Sequence, residues 1–140
     1  MLDFTYYAPT KVHFGKGKHK EVGEIIKGYG FKTIMMQYGK GSIKANGLYD
    51  EVMASLSESG IKVIEFGGVE PNPKLTDVNR AIKLAIDNGV EMILAVGGGS
   101  VIDSSKYTAA GVANGGDVWV RVREYRVMGS GCPPTMGLPQ

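Results

Sequence analysis

Apolar positions in this chain follow two rhythms. "KTIMMQY" (Lys32–Tyr38) and "EMILAV" (Glu91–Val96) are short apolar runs that read as buried strands, and "IKVIEF" (Ile61–Phe66) reads as a further strand between them. Between them the period lengthens. "KEVGEIIKGYG" sets Val22, Ile25 and Ile26 on one helical stripe, and Gly30 supplies a stop. "GLYDEVMASLSESG" aligns Leu48, Val52, Met53 and Leu56 and ends at Gly60. "KLTDVNRAIKLAIDNG" aligns Leu75, Val78, Ile82, Ala85 and Ile86, with Thr76 or Asp77 available to satisfy the first turn. "SVIDSSKYTAAGVANGG" predicts a last helix, and "TKVHF" (Thr10–Phe14), closed by "GKGK", a first strand. Strands alternating with amphipathic helices through short, glycine-marked connections predict an α/β fold. Its expected form is a Rossmann-like parallel sheet, built from right-handed βαβ units with helices on both faces. The pattern does not fix the strand order.

Composition narrows the function classes. A length of 140 residues suits one domain with a real core, and a formal charge of +2 gives no electrostatic case for a nucleic-acid or membrane partner. The single cysteine, Cys132, cannot form a disulfide within the chain and fits a reducing compartment. No apolar run approaches the roughly 20 residues that span a bilayer, and "MLDFTYYAPTK" has no basic segment leading into an apolar core. The expectation is a cytoplasmic protein. One discontinuity stands out. Every lysine precedes residue 120, whereas Arg121, Arg123 and Arg126 follow it, together with three of the six prolines. Residues 1–120 therefore read as the folded unit. Residues 121–140 read as an atypical tail, expected to be disordered or drawn from another reading frame.

Three turns carry candidate chemistry. In "ILAVGGGSVIDSSK" a strand enters a helix through Gly97, Gly98, Gly99 and Ser100, with Asp103 one turn further on. The unpaired N–H groups and positive dipole end of such a helix suit a phosphate, and glycine removes side chains that would hold it away. The same residues also make a plain βα turn with a serine cap and no ligand; the spacing matches neither the G-x-G-x-x-G nor the Walker fingerprint. After the second predicted strand, "YGKGSIK" lacks the acid that usually binds the adenosine ribose of NAD. Gly39, Lys40, Gly41 and Ser42 instead offer N–H donors, a cation and a hydroxyl suited to the 2′-phosphate of NADP, or else a solvated turn. In "GGVEPNPKL", Pro71 and Pro73 stiffen a loop that should hold Asn72 extended with its amide projecting, or serve only as a rigid connection. Elsewhere, His13 and His19 have no ligand partners at metal spacing, Lys106 forms a surface pair with Asp103, and Tyr49 reads as packing.

Together, "YYAPTKVHFGKGK", "YGKGSIKANGLYDEV", "FGGVEPNPKL" and "ILAVGGGSVIDSSK" resemble the amino-terminal domain of the iron-containing alcohol dehydrogenases, and most of all the NADP-dependent butanol dehydrogenase branch. The resemblance runs from about Phe4 to Trp119. It implies pyrophosphate binding at Gly97, Gly98, Gly99 and Ser100, extending to Asp103. It places the adenosine end at Gly39, Lys40, Gly41 and Ser42, and turns Asn72 toward the cofactor cleft. It implies NADP as cofactor, with NAD as the alternative, and hydride transfer between a primary alcohol and an aldehyde. In the family that reaction is assisted by iron or zinc, and a homodimer forms through the region of Thr10–Phe14. The family's metal ligands lie in a C-terminal all-helical domain that has no counterpart in this sequence, so no catalytic or metal-binding residue is assigned. The expected function is a cofactor domain, catalytically incomplete alone; a self-associating scaffold without a ligand is the alternative.

Overall fold

In a computed structural model the described residues are 11–115 and 135–138. A 3-10 turn (Lys18–Glu21) leads into α1 (Val22–Gly28) and β1 (Thr33–Tyr38). A single helical turn α2 (Ser42–Ala45) and α3 (Leu48–Glu58) connect β1 to β2 (Lys62–Phe66). The chain continues through α4 (Leu75–Asp87), β3 (Met92–Val96), α5 (Gly99–Ala113) and β4 (Thr135–Leu138). All strand pairs are parallel, in the order β2-β1-β3-β4. The predicted α/β sheet is therefore present.

Strand alternation divides the core in two. Ile34, Met36 and Tyr38 of β1, with Met92, Leu94 and Val96 of β3, pack beneath Val22 and Ile26 of α1 and Val52 and Leu56 of α3. The intervening residues Met35 and Ile93 face Ala81 and Ala85 of α4 and Ala109 of α5. Alanines on that side let two helices lie side by side on the sheet, and α4 and α5 pack against each other. Right-handed crossovers require this distribution. The β1-to-β2 connection moves one way along the sheet, while β2-to-β3 and β3-to-β4 move the other way.

The structure departs from the sequence reading in several places. Lys11–Phe14 forms no strand, and Thr10 lies outside the described residues. Val12 and Phe14 are 77% and 94% exposed, and no described strand pairs with this segment. The boundary expected at residue 120 does not limit the sheet, because Thr135–Leu138 pairs with Ile93–Val96. An apolar β3 with a free edge accommodates a fourth strand. The remainder of the tail lies outside the described residues. Finally, Thr76 and Asp77 do not cap α4; its N-cap is Lys74, with no side-chain bond to the first turn.

Candidate cofactor site at the carboxyl edge of the sheet

In a parallel sheet every strand delivers its following turn to the same edge. Here those turns hold nearly all of the candidate residues. Gly39, Lys40, Gly41 and Ser42 follow β1, Asn72 lies in the loop after β2, and Gly97, Gly98, Gly99 and Ser100 follow β3. The chain leaves β1 toward β2 on one side, while β3 lies on the other. The point where the order reverses, between β1 and β3, is where α/β sheets open a ligand crevice. The GKGS and GGGS turns flank that point.

The three glycines after β3 are not equivalent. Gly97 has φ 152°, and a Cβ built on it would approach Val101 Cγ2 to 2.9 Å, so the fold itself demands glycine there. Gly98 has an ordinary φ of −81°. A Cβ on Gly98 or Gly99 would meet nothing within 4 Å. Packing among the described residues gives these two no reason to be glycine, whereas a group laid across the turn would. Gly98 is the N-cap of α5, and no side chain caps the first turn. Ser100 therefore lies within the helix rather than capping it. Asp103 is exposed and engages Lys106 at 3.6 Å, as the spacing predicts.

The turn after β1 differs more from expectation. Ser42 and the residues after it form a helical turn, and Gly41 takes φ 154° to enter it. Lys40 is not a lone cation: its Nζ lies 2.5 Å from Glu70 Oε1, on the loop after β2. Lys40 holds the Glu70 carboxyl below the usual carboxylate range, and Lys74 adds to the effect. Nearby, Lys44 lies over the rings of Tyr38 and Tyr49, 5.3 and 4.8 Å from their centroids. Both phenols donate to Glu65 Oε1. Their attachment to an anion pushes Tyr49 up to about 12, with burial adding to the effect; burial leads for Tyr38, which also rises.

Asn72 is not extended. Its φ of 57° makes it the one non-glycine residue with positive φ among those described. Asparagine tolerates the left-handed region better than most residues, which lets the loop turn sharply between two prolines. Beneath this loop is a pocket of about 150 Å³ that includes Phe66, Val69, Glu70, Asp77, Arg80 and Ser104. It has room for a small group; a whole dinucleotide would have to lie along the open edge.

Sequence reasoning did not single out Gln37. Near the end of β1, in an otherwise apolar strand, it is 0% exposed. Its Nε2 donates to Thr108 Oγ1 at 3.0 Å, and its Oε1 accepts from Ser105 Oγ at 2.9 Å. Thr108 Oγ1 donates in turn to Ser104 O, while the single proton of Ser105 Oγ is shared between Gln37 Oε1 and Val101 O, each carbonyl lying four residues earlier in α5. This satisfied buried network ties β1 to the helix that begins at the GGGS turn, fixing the distance between the two candidate turns. A polar residue inside an apolar strand is the signal that would have marked it.

Comparison with known proteins bears on the family and the fold. The sequence model of the iron-containing alcohol dehydrogenases matches residues 9–139. The NADH-dependent butanol dehydrogenase A of Clostridium acetobutylicum is 51% identical over 124 residues, 89% of this chain and 32% of that protein. The NADPH-dependent aldehyde reductase YqhD of Escherichia coli is 41% identical over 110 residues, 79% of this chain and 27% of its own. The crystal structure of an NADH-dependent butanol dehydrogenase A from Thermotoga maritima superposes with a TM-score of 0.88 at 42% identity, covering 96% of this chain and 34% of that one. The chain thus spans about a third of the relatives it matches, and those relatives are named for both nucleotides.

Proposed function

Because this chain belongs to the iron-containing alcohol dehydrogenase family, we propose that the carboxyl edge of its sheet is one wall of a nicotinamide-dinucleotide site. The observation that carries the reading is the open space at Gly98 and Gly99, which the fold leaves unfilled beside an uncapped helix N-terminus. In this reading the N–H groups of Gly98, Gly99 and Ser100 bind the pyrophosphate, assisted by the α5 dipole. Gly39, Lys40, Gly41 and Ser42 receive the adenosine end, where Lys40 and Ser42 suit the 2′-phosphate of NADP and the charge left on Lys40 decides between NADP and NAD. Asn72 borders the cleft, and Asp103 stays on the surface.

When bound, the nicotinamide supplies the hydride chemistry of the family, the interconversion of a primary alcohol and an aldehyde. The residues described here bind and orient the cofactor. They do not fit a metal ion, since no group of three His, Cys, Asp or Glu among them could hold one. No step through iron or zinc is assigned to them. Likewise, among the described residues no helix is long and apolar enough to cross a membrane.

Calorimetric titration of the purified chain with NADH and NADPH tests the proposal. Binding of either in the micromolar to low millimolar range is expected; absence of binding to both removes it. A second reading, self-association, is favoured by the exposure of Val12 and Phe14. It predicts a dimer in sedimentation, which the Val12→Ser/Phe14→Ser double variant weakens. A monomer at every concentration contradicts it.

A further inference from the structure

The segment after β1 contains no acid, yet an acid reaches it from elsewhere. Beyond β2 the chain keeps pairing with β1. Val69 N donates to Tyr38 O at 3.0 Å and Gly68 N to Gly39 O at 3.3 Å. Val69 is then buried against Ala95 and Val101, and Pro71 follows Glu70 directly. Glu70 is thus flanked by an anchored residue and a stiff one, and the fold delivers its carboxylate to Lys40 Nζ.

We propose that Glu70 is a specificity-determining residue: it supplies across the sheet edge the ribose-binding acid that the GKGS turn lacks, and favours the 2′-hydroxyl of NAD(H) over the 2′-phosphate of NADP(H). This rests on the dinucleotide site proposed above. The argument is one of charge and hydrogen bonding. A 2′-phosphate arriving at Lys40 must displace Glu70 from its ion pair and lie near a carboxylate it repels. A 2′,3′-diol instead finds an acceptor already in place. The pair is solvent-exposed, with 70% and 47% side-chain exposure, so the preference is graded rather than absolute.

Two probes that need only the adenosine half of the site test this: ADP and adenosine 2′,5′-bisphosphate, titrated into the wild-type chain, Glu70→Gln and Lys40→Ala. Glu70→Gln replaces an exposed side chain and should leave the Tm unchanged. Wild type is expected to bind ADP at least as well as the bisphosphate. In Glu70→Gln the ratio should move about threefold to fivefold toward the bisphosphate, the size expected of an exposed ion pair. Lys40→Ala should weaken the bisphosphate more than ADP. If both probes bind wild type but Glu70→Gln leaves their ratio unmoved, or wild type prefers the bisphosphate tenfold or more, Glu70 does not set specificity. If neither probe binds wild type, the dinucleotide site itself fails and this inference with it.

Discussion

A glycine can be required by the chain that contains it or by something the chain must admit, and Gly97 and Gly98 separate the two. Gly97→Ala forces a side chain into φ 152° and against Val101, so it should destabilise the fold by about 1–3 kcal/mol. Gly98→Ala meets neither obstacle and should leave the Tm unchanged within a degree or two. Thermal denaturation of the two variants checks both. Gln37 is the other residue whose role is measurable alone. Gln37→Ala opens a buried cavity and strands the Thr108 and Ser105 contacts, costing about 2–4 kcal/mol. Gln37→Met fills the space, and because both hydroxyls keep their helix carbonyls, it should cost about 1 kcal/mol or less. A comparable loss in urea denaturation for both variants would show that the hydrogen bonds, rather than the volume, matter. At this scale the sequence made the glycine turn legible, because strand, glycines and helix are contiguous. It hid the Lys40–Glu70 pair, whose members are 30 positions apart and meet only when β1 and β2 lie side by side.

At the scale of elements, β1, β2, β3 and their helices were readable because each carries its own period, although β2 lies half-exposed while β1 and β3 are buried. The failures lie where an element depends on a neighbour. Lys11–Phe14 has strand-like residues and no described partner, while Thr135–Leu138 has little strand pattern and a ready edge in β3. A strand is a property of pairing, not of one segment. The opposite edge of the sheet shows a similar dependence. Glu91, before β3, accepts from the N–H groups of Lys32 at 2.7 Å and Thr33 at 2.9 Å, stitching the start of β1 to β3. Those bonds, from Lys32 first, hold its carboxyl below the usual range. A depressed folded-state value means that the stabilisation is complete above the unfolded-state pKa of about 4.3 and is lost as pH falls through the folded one. Wild type should therefore lose Tm more steeply than Glu91→Gln between about pH 5 and pH 3. Parallel Tm profiles would show that the carboxylate contributes nothing through its charge.

Over the whole molecule, two thin cores on either face of one sheet hold the carboxyl-edge turns at a fixed separation, and the site is a consequence of that layering. The covalent order of the strands creates the reversal between β1 and β3, and the Gln37 network spans it. What the sequence left open at this scale was the strand order, hence which loops would be neighbours and which charges would meet. The same gap separates the two views of Lys40. Read along the chain, Lys40 is an unopposed cation; read across the sheet, it is paired.

If Gly98 and Gly99 stand open for a ligand, filling that space must cost binding and not stability. The most direct measurement is calorimetric titration of the chain and of Gly98→Val with NADH, alongside their Tm values. Wild type should bind, and Gly98→Val should weaken binding at least about tenfold with little change in Tm, because its side chain occupies space the fold leaves empty. Equal binding by both proteins, or no binding by wild type, would contradict it.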